Sequence, residues 1–166
     1  MNKVVLHPIG VLRTPFRDLA EMPIQPTSTL SAPGTAEIFT QYRAGLQDLA
    51  GFSHLILLYH LHKAEHEQLQ VTPFLDRVPR GVYATRAPTR PNHLGLSIVE
   101  LLRVDGTTLH LNRLDMLDGT PLLDIKPYVP AFDEPQDVRC GWLENAPGQV
   151  RAARSDKRFT SGNDSV

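Results

Sequence analysis

Two Asp-Gly dipeptides, Asp105-Gly106 and Asp118-Gly119, punctuate the most regularly apolar part of this chain. Asp-Gly between alternating apolar runs is a strong hairpin signal, because the turn requires positive φ, which glycine adopts without steric cost. Leu94 to Val104 and Thr107 to Leu114 therefore read as a β-hairpin about Asp105-Gly106. Asp118-Gly119 leads through Thr120-Pro121 into a strand from Leu122 to Pro127. Upstream, Phe52 to His62 alternates. Leu55, Leu57, Tyr59 and Leu61 share one face, while His54, Ile56, Leu58, His60 and His62 share the other. Apolar residues on both faces predict a strand whose middle is covered on both sides.

Val4 to Thr14, Thr35 to Thr40 and Gly81 to Arg86 are further strand candidates, with Pro8 and Gly10 marking a bulge or an edge in the first. Tyr42, Leu46 and Leu49 fall at helical spacing ahead of Gly51, which predicts a short helix over Gln41 to Leu49. Pro15 to Pro33 and Lys63 to Val78 read as long loops, and periodicity is lost after Tyr128. Strands joined by turns rather than helices make the chain mainly β, an antiparallel barrel or sandwich with a few short helices. Residues 141–166 read as a partly flexible C-terminal extension to a domain spanning residues 1–140.

At 166 residues, 41% hydrophobic and 21% charged, the chain is long enough to bury one core, and its composition is that of a soluble globular domain. A formal net charge of −1 offers no global positive field for duplex nucleic acid, although a local basic patch is compatible with it. Cys140 is the only cysteine, which excludes an intrachain disulfide and a thiolate metal cage. The apolar N-terminal run is too short for a secretory signal, and no stretch approaches the roughly 20 apolar residues of a membrane helix. Cytoplasmic residence is the expectation. Walker, Gly-x-Gly-x-x-Gly and Gly-x-Ser-x-Gly motifs are missing, which argues against P-loop, Rossmann and serine-hydrolase chemistry.

Three groupings could carry chemistry. The run from Gly81 to Ser97 sets Arg86 and Arg90 among Pro88, Pro91, Asn92 and Gly95, a stiff non-helical connection suited to presenting guanidiniums to a carboxylate or phosphate. Histidines 54, 60 and 62 share a strand face, with His66 beyond, and three such side chains could hold zinc. The same spacing arises in any strand, so a metal site is not expected. His62-Lys63, at a strand end, is the stronger pair. Asp115, Asp118 and Asp124 crowd one apolar segment with Lys126 close by, where Asp118 also serves as ordinary turn chemistry.

Ile9-Gly-Val-Leu-Arg-Thr-Pro-Phe16, Gly51-Phe-Ser-His-Leu55, Gly81-Val-Tyr-Ala-Thr-Arg86, Arg90-Pro-Asn92 with Gly95-Leu-Ser97, and Leu117-Asp-Gly-Thr-Pro121 leading to Asp124-Ile-Lys-Pro-Tyr128 occur in order. Together they resemble the TsaA-like, TrmO-type tRNA methyltransferases over about residues 7–133. The resemblance implies a small antiparallel β-barrel that binds S-adenosylmethionine, forms a homodimer and methylates N6 of threonylcarbamoyl-adenosine beside the tRNA anticodon. It implies cofactor contacts from Pro26, Thr27, Ser28, His62, Lys63, Arg86, Leu96 and the segment Asn112, Arg113, Leu114 and Asp115. His93 departs from the proline the family usually has after Arg-Pro-Asn, and Thr27-Ser28 lies in a variable stretch.

An exocyclic adenine nitrogen is a poor nucleophile whose proton needs an acceptor. Asp118 and Asp124 are the candidates for that role, with Asp115 holding the cofactor. Arg90, Asn92 and Lys126 are candidates for the anticodon loop, and Arg13 and Arg17 extend the patch. Two rivals remain: the same barrel as a non-catalytic S-adenosylmethionine or nucleoside sensor, and a histidine-based metalloenzyme.

Overall fold

The computed structural model describes residues 3–18, 32–73 and 77–145. Its centre is a closed antiparallel barrel of six strands: β1 (Gly10–Arg13), β2 (Ala32–Ile38), β3 (His54–His60), β6 (Leu94–Asp105), β7 (Thr108–Leu114) and β8 (Thr120–Pro127). Two short strands, β4 (Gln70–Val71) and β5 (Arg80–Gly81), pair separately. Around the barrel the order is β1-β2-β7-β6-β3-β8, and β8 closes back onto β1. The expected mainly β, antiparallel-barrel class is what the chain forms.

Alternation sets the inside. Leu12, Ala36, Leu55, Leu57, Val99, Leu109, Leu111, Leu114 and Leu122 are all fully buried within one core. Fully burying each of these leucines and the valine contributes about 1.5–3 kcal/mol before entropy is counted. A barrel this narrow is filled by its own side chains. Register shifts between Ala32 and Gly34, Leu58 and Tyr59, and Leu101 and Arg103 supply the local bends that a tight closure needs.

The hairpin about Asp105-Gly106 forms with Asp105 opposite Thr108 and Gly106 at φ +59°. Gly119 likewise takes φ +77°. Three expected elements differ. Gln41 to Leu49 is not an α-helix but a 3-10 run, Thr40–Leu46, followed by a second 3-10 turn, Leu49–Gly51, and neither buries a residue. Three apolar residues at helical spacing did not outweigh the short length and the glycine at position 45. Gly81 to Arg86 is not a strand beyond Gly81: Val82–Ala84 winds into a 3-10 turn. The first strand is also shorter than its apolar run, Gly10–Arg13, leaving Val4, Val5 and Leu6 exposed.

Beyond the barrel, α1 (Pro130–Asp133) is a single turn, and a 3-10 segment, Gly141–Asn145, returns to the loop after β5. There Trp142 Nε1 donates to the Ala84 carbonyl at 2.8 Å. No helix among the described residues is long and apolar enough to cross a membrane.

Candidate functional site

One end of the barrel gathers the ends of β1, β3 and β7 with the starts of β2, β6 and β8, as the pairs Ala32↔Leu114, His60↔Leu94 and Leu12↔Thr120 require. At this rim three inward-facing polar groups form a chain. Tyr59 Oη lies 2.9 Å from Ser97 Oγ, and Ser97 Oγ donates to Asp115 Oδ1 at 2.7 Å. The chain exists because Ser97 and Gly95 share a face of β6 and Gly95 stands directly opposite Tyr59. A Cβ at Gly95 would collide with the Tyr59 ring. The Gly95-Leu-Ser97 motif therefore has a physical reading. Glycine admits the ring, leucine faces outward and is 47% exposed, and serine reaches the carboxylate.

Asp115 follows the last residue of β7 and is half-buried. Burial pushes its carboxyl up to about 6, against the opposing pull of the Ser97 hydrogen bond, its own backbone and the Arg86 guanidinium. Tyr59, deeper, is pushed above the ordinary phenol range by burial and then by the Asp115 charge. Tyr59 and Arg86 thus reach Asp115 electrostatically from β3 and from the loop after β5. Such a carboxylate, partly desolvated and incompletely neutralised, suits a cationic partner and sits in the range of a usable proton acceptor.

His62 lies at the same rim, its Nδ1 3.4 Å from Thr120 Oγ1. Burial, then the charges of Lys63 and His60, lower its affinity for a proton, so its ring is neutral near pH 7. Lys63 is exposed beside it. The chain leaves β3 at His60, so His62 is no longer on the strand face shared by His54 and His60. No three His, Cys, Asp or Glu side chains among the described residues converge as a metal set.

The remaining sequence candidates are scattered over the fold. Asp118 is committed to the turn: Oδ1 accepts from Thr14 N at 3.1 Å and Oδ2 accepts from Arg17. Asp124 and Lys126 pair at 2.8 Å on the outer wall, opposite Leu58 and Ile56. Arg90 is turned inward, its Nη2 donating to the carbonyls of Val82 at 3.1 Å and Thr85 at 3.0 Å, while Asn92 is exposed. Asn112 donates to Glu100 at 3.1 Å, Arg113 is exposed with φ +65°, and Leu114 is core. Arg13 pairs with Glu37 at 3.0 Å. Pro26, Thr27 and Ser28 lie outside the described residues.

Arg86, His62, Lys63 and Asp115 are thus brought to one rim with two residues the sequence reading had not assigned, Tyr59 and Ser97. Alternation groups Tyr59 with Leu55, Leu57 and Leu61 on one face, but only the β3–β6 register reveals its neighbour.

Residues 11–134 match the model of the tRNA-methyltransferase O N-terminal domain. A "Probable S-adenosyl-L-methionine-binding protein" of Pyrococcus abyssi is 46% identical over 160 residues, covering 96% of this chain and 87% of that protein. The tRNA (adenine(37)-N6)-methyltransferase of Escherichia coli is 35% identical over 162 residues, covering 92% of this chain and 69% of that protein. The crystal structure of TrmO from Pseudomonas aeruginosa superimposes with a TM-score of 0.71 at 37% identity over 85% of this chain. This chain spans 63% of the length of that solved structure.

Proposed function

The chain belongs to the tRNA-methyltransferase O family, and from that premise we propose that it methylates N6 of adenosine 37 in tRNA, with S-adenosylmethionine as donor and threonylcarbamoyl-adenosine as acceptor. The observation that carries the reading is the Tyr59–Ser97–Asp115 chain beside Arg86 at one barrel rim.

The rim fits the donor. A half-buried carboxylate that burial has driven upward is stabilised by a neighbouring cation, and S-adenosylmethionine supplies a methyl group on a positively charged sulfur. In this reading Asp115, Arg86, His62 and Lys63 hold it, with Asn112, Arg113 and the backbone of buried Leu114 contributing from the end of β7 and Leu96 from the outer face of β6. Pro26, Thr27 and Ser28 complete the set from outside the described residues. Neutral His62 adds a polar wall without repelling a cation.

The acceptor proton falls to Asp115. Ser97 occupies Oδ1, leaving Oδ2 to accept from the N6 hydrogen. While positive charge stands beside it the carboxyl is ionised. S-adenosylmethionine, when bound, would supply the methyl group, and Asp115 would take the N6 proton that methylation displaces. Asp118 and Asp124, first candidates for this role, are better employed elsewhere: Asp118 fixes the turn and Asp124 restrains Lys126. Arg90 braces the loop from within, and Asn92 and Lys126 are the outward groups offered to the anticodon loop.

The outer face of β3 and β6 supports a second copy as partner. Ile56 faces Ile98 and Leu58 faces Leu96, and Leu94, Leu96, Ile98 and Leu102 are all exposed. An apolar sheet face of this kind marks an interaction surface. Leu96→Asp should turn a dimer into a monomer in sedimentation.

The experiment is incubation with methyl-labelled donor and tRNA, with and without the threonylcarbamoyl group, followed by nucleoside analysis. Label on N6 of the modified adenosine is expected. Asp115→Asn should lose turnover at least 100-fold, while Asp118→Asn and Asp124→Asn stay within a few-fold, consistent with a general base contributing about 10²–10⁴. Donor uptake without transfer to any RNA would favour the sensor instead.

A further inference from the structure

The turn Val82–Ala84, which leads into Arg86, is fixed far more firmly than a surface loop requires. Val82 is buried with Val71 and Ala87 in a small core of their own. Its amide donates to the Leu69 carbonyl at 2.9 Å. Two of the turn's carbonyls, and that of Thr85 just after it, are then captured by side chains from elsewhere. Arg90 Nη2 holds those of Val82 and Thr85, and Trp142 Nε1 holds that of Ala84. Thr85 Oγ1 adds a further bond to the Val82 carbonyl at 2.9 Å.

The residue at the apex is Tyr83, 77% exposed. A single exposed aromatic is unremarked on most surfaces. Here its setting is particular. Trp142, tied to the next residue's carbonyl, carries the Arg80 guanidinium 5.8 Å from its ring centroid. Arg86 follows three residues later, so its Cα lies within about 11 Å of the Tyr83 Cα. Arg86 in turn acts on Asp115. An exposed ring on a turn whose backbone is pinned by neighbouring side chains, with Arg80 and Arg86 in the flanking chain, is an arrangement on which unstacked bases of single-stranded RNA can lie.

We propose that Tyr83 is a stacking platform for an unpaired base of the RNA substrate flanking the acceptor nucleotide, with Arg90 and Trp142 as the positioning residues that hold it. This rests on the methyltransferase reading and adds to it the means of substrate recognition. Stacking is sequence-tolerant, so the platform selects an open loop over a duplex, not one base over another.

The test uses the full chain and two measurements: affinity for an anticodon stem-loop RNA by filter binding, and KM and kcat for tRNA methylation. Tyr83→Ala should weaken stem-loop binding and raise KM for tRNA by roughly 10- to 100-fold. Donor affinity by calorimetry and kcat at saturating RNA should stay within twofold. Tyr83→Phe and Tyr83→Trp should restore binding. Trp142→Phe, which keeps a ring but loses the Nε1 donor, should shift KM in the same direction by less.

Unchanged stem-loop affinity in Tyr83→Ala overturns the platform even if methylation proceeds. The opposite split, Tyr83-dependent RNA binding without any methyl transfer, leaves the platform standing and removes the methyltransferase. Loss of dimerisation in Tyr83→Ala would make the ring part of a contact between copies and overturn the proposal as well.

Discussion

The ring of Tyr59 lies against the backbone of Gly95, its cross-strand partner, so closely that no side chain fits between them. The contact ties the rim's hydrogen-bond chain to the absence of a single methyl group. Gly95→Ala should push the ring aside, part Tyr59 Oη from Ser97 Oγ and cost about 1–3 kcal/mol, the usual range for overpacking. In a Tyr59→Leu background the same change should cost less, because the obstructing ring is gone. Urea unfolding of the two single variants and the double variant measures that coupling. Strict additivity would show that the ring and the glycine do not compete for space.

The chain's own residues announced much of this. Asp-Gly turns and apolar alternation located β6, β7 and β8, and the shared inner face of Leu55, Leu57 and Tyr59 follows from a period of two. What stayed hidden is non-local. Gly81 to Arg86 looks extended until Arg90 and Trp142 take its carbonyls, the latter from 58 residues away. Ser97 was visible as part of a motif, but its purpose needs the register that sets Gly95 opposite Tyr59 and the bond that joins Ser97 to Asp115. Asp118 was legible as turn chemistry from its Asp-Gly context, whereas the rim-facing place of Asp115 needs its bond to Ser97.

Asp115 should limit stability as well as support the reaction. Its carboxyl is raised from 3.8 to about 6, so between these values the folded state binds more protons than the unfolded chain. Stability from this group therefore falls as pH rises from about 4 to 6, by up to roughly 3 kcal/mol. Asp115→Asn removes the ionisation and keeps an oxygen for Ser97. In the absence of donor, its melting temperature at pH 7.5 should exceed that of the parent by several degrees, and the difference should vanish near pH 4. Equal melting at both pH values would mean that the buried charge costs nothing.

The same chain sets the acidic limb of the rate profile. Asp115 must be ionised to accept a proton, so kcat/KM for the donor should rise with pH through about 6. Ser97 hydrogen-bonds to the carboxylate and holds that value down. Ser97→Ala should therefore move the limb to higher pH, with the plateau above it largely retained. Tyr59→Phe leaves the Ser97–Asp115 bond in place and should move the limb less. A limb that stays put in Ser97→Ala would place the titrating group elsewhere.

Asp118 makes two contacts of very different worth. Arg17 is 75% exposed, so its ion pair with Asp118 sits in solvent and contributes about 0–1 kcal/mol. Thr14 is buried, and Asp118 Oδ1 is the acceptor for its amide at the point where β1 ends against the turn. Removing that acceptor strands a buried donor, a loss of about 1–3 kcal/mol. Arg17→Ala should leave stability within about 0.5 kcal/mol, a change typical of surface sites. Asp118→Asn, with one oxygen retained, should lose little, and Asp118→Ala should lose the larger amount. Denaturant unfolding ranks the three. If Arg17→Ala proves as damaging as Asp118→Ala, the exposed pair and not the Thr14 amide is what holds the turn.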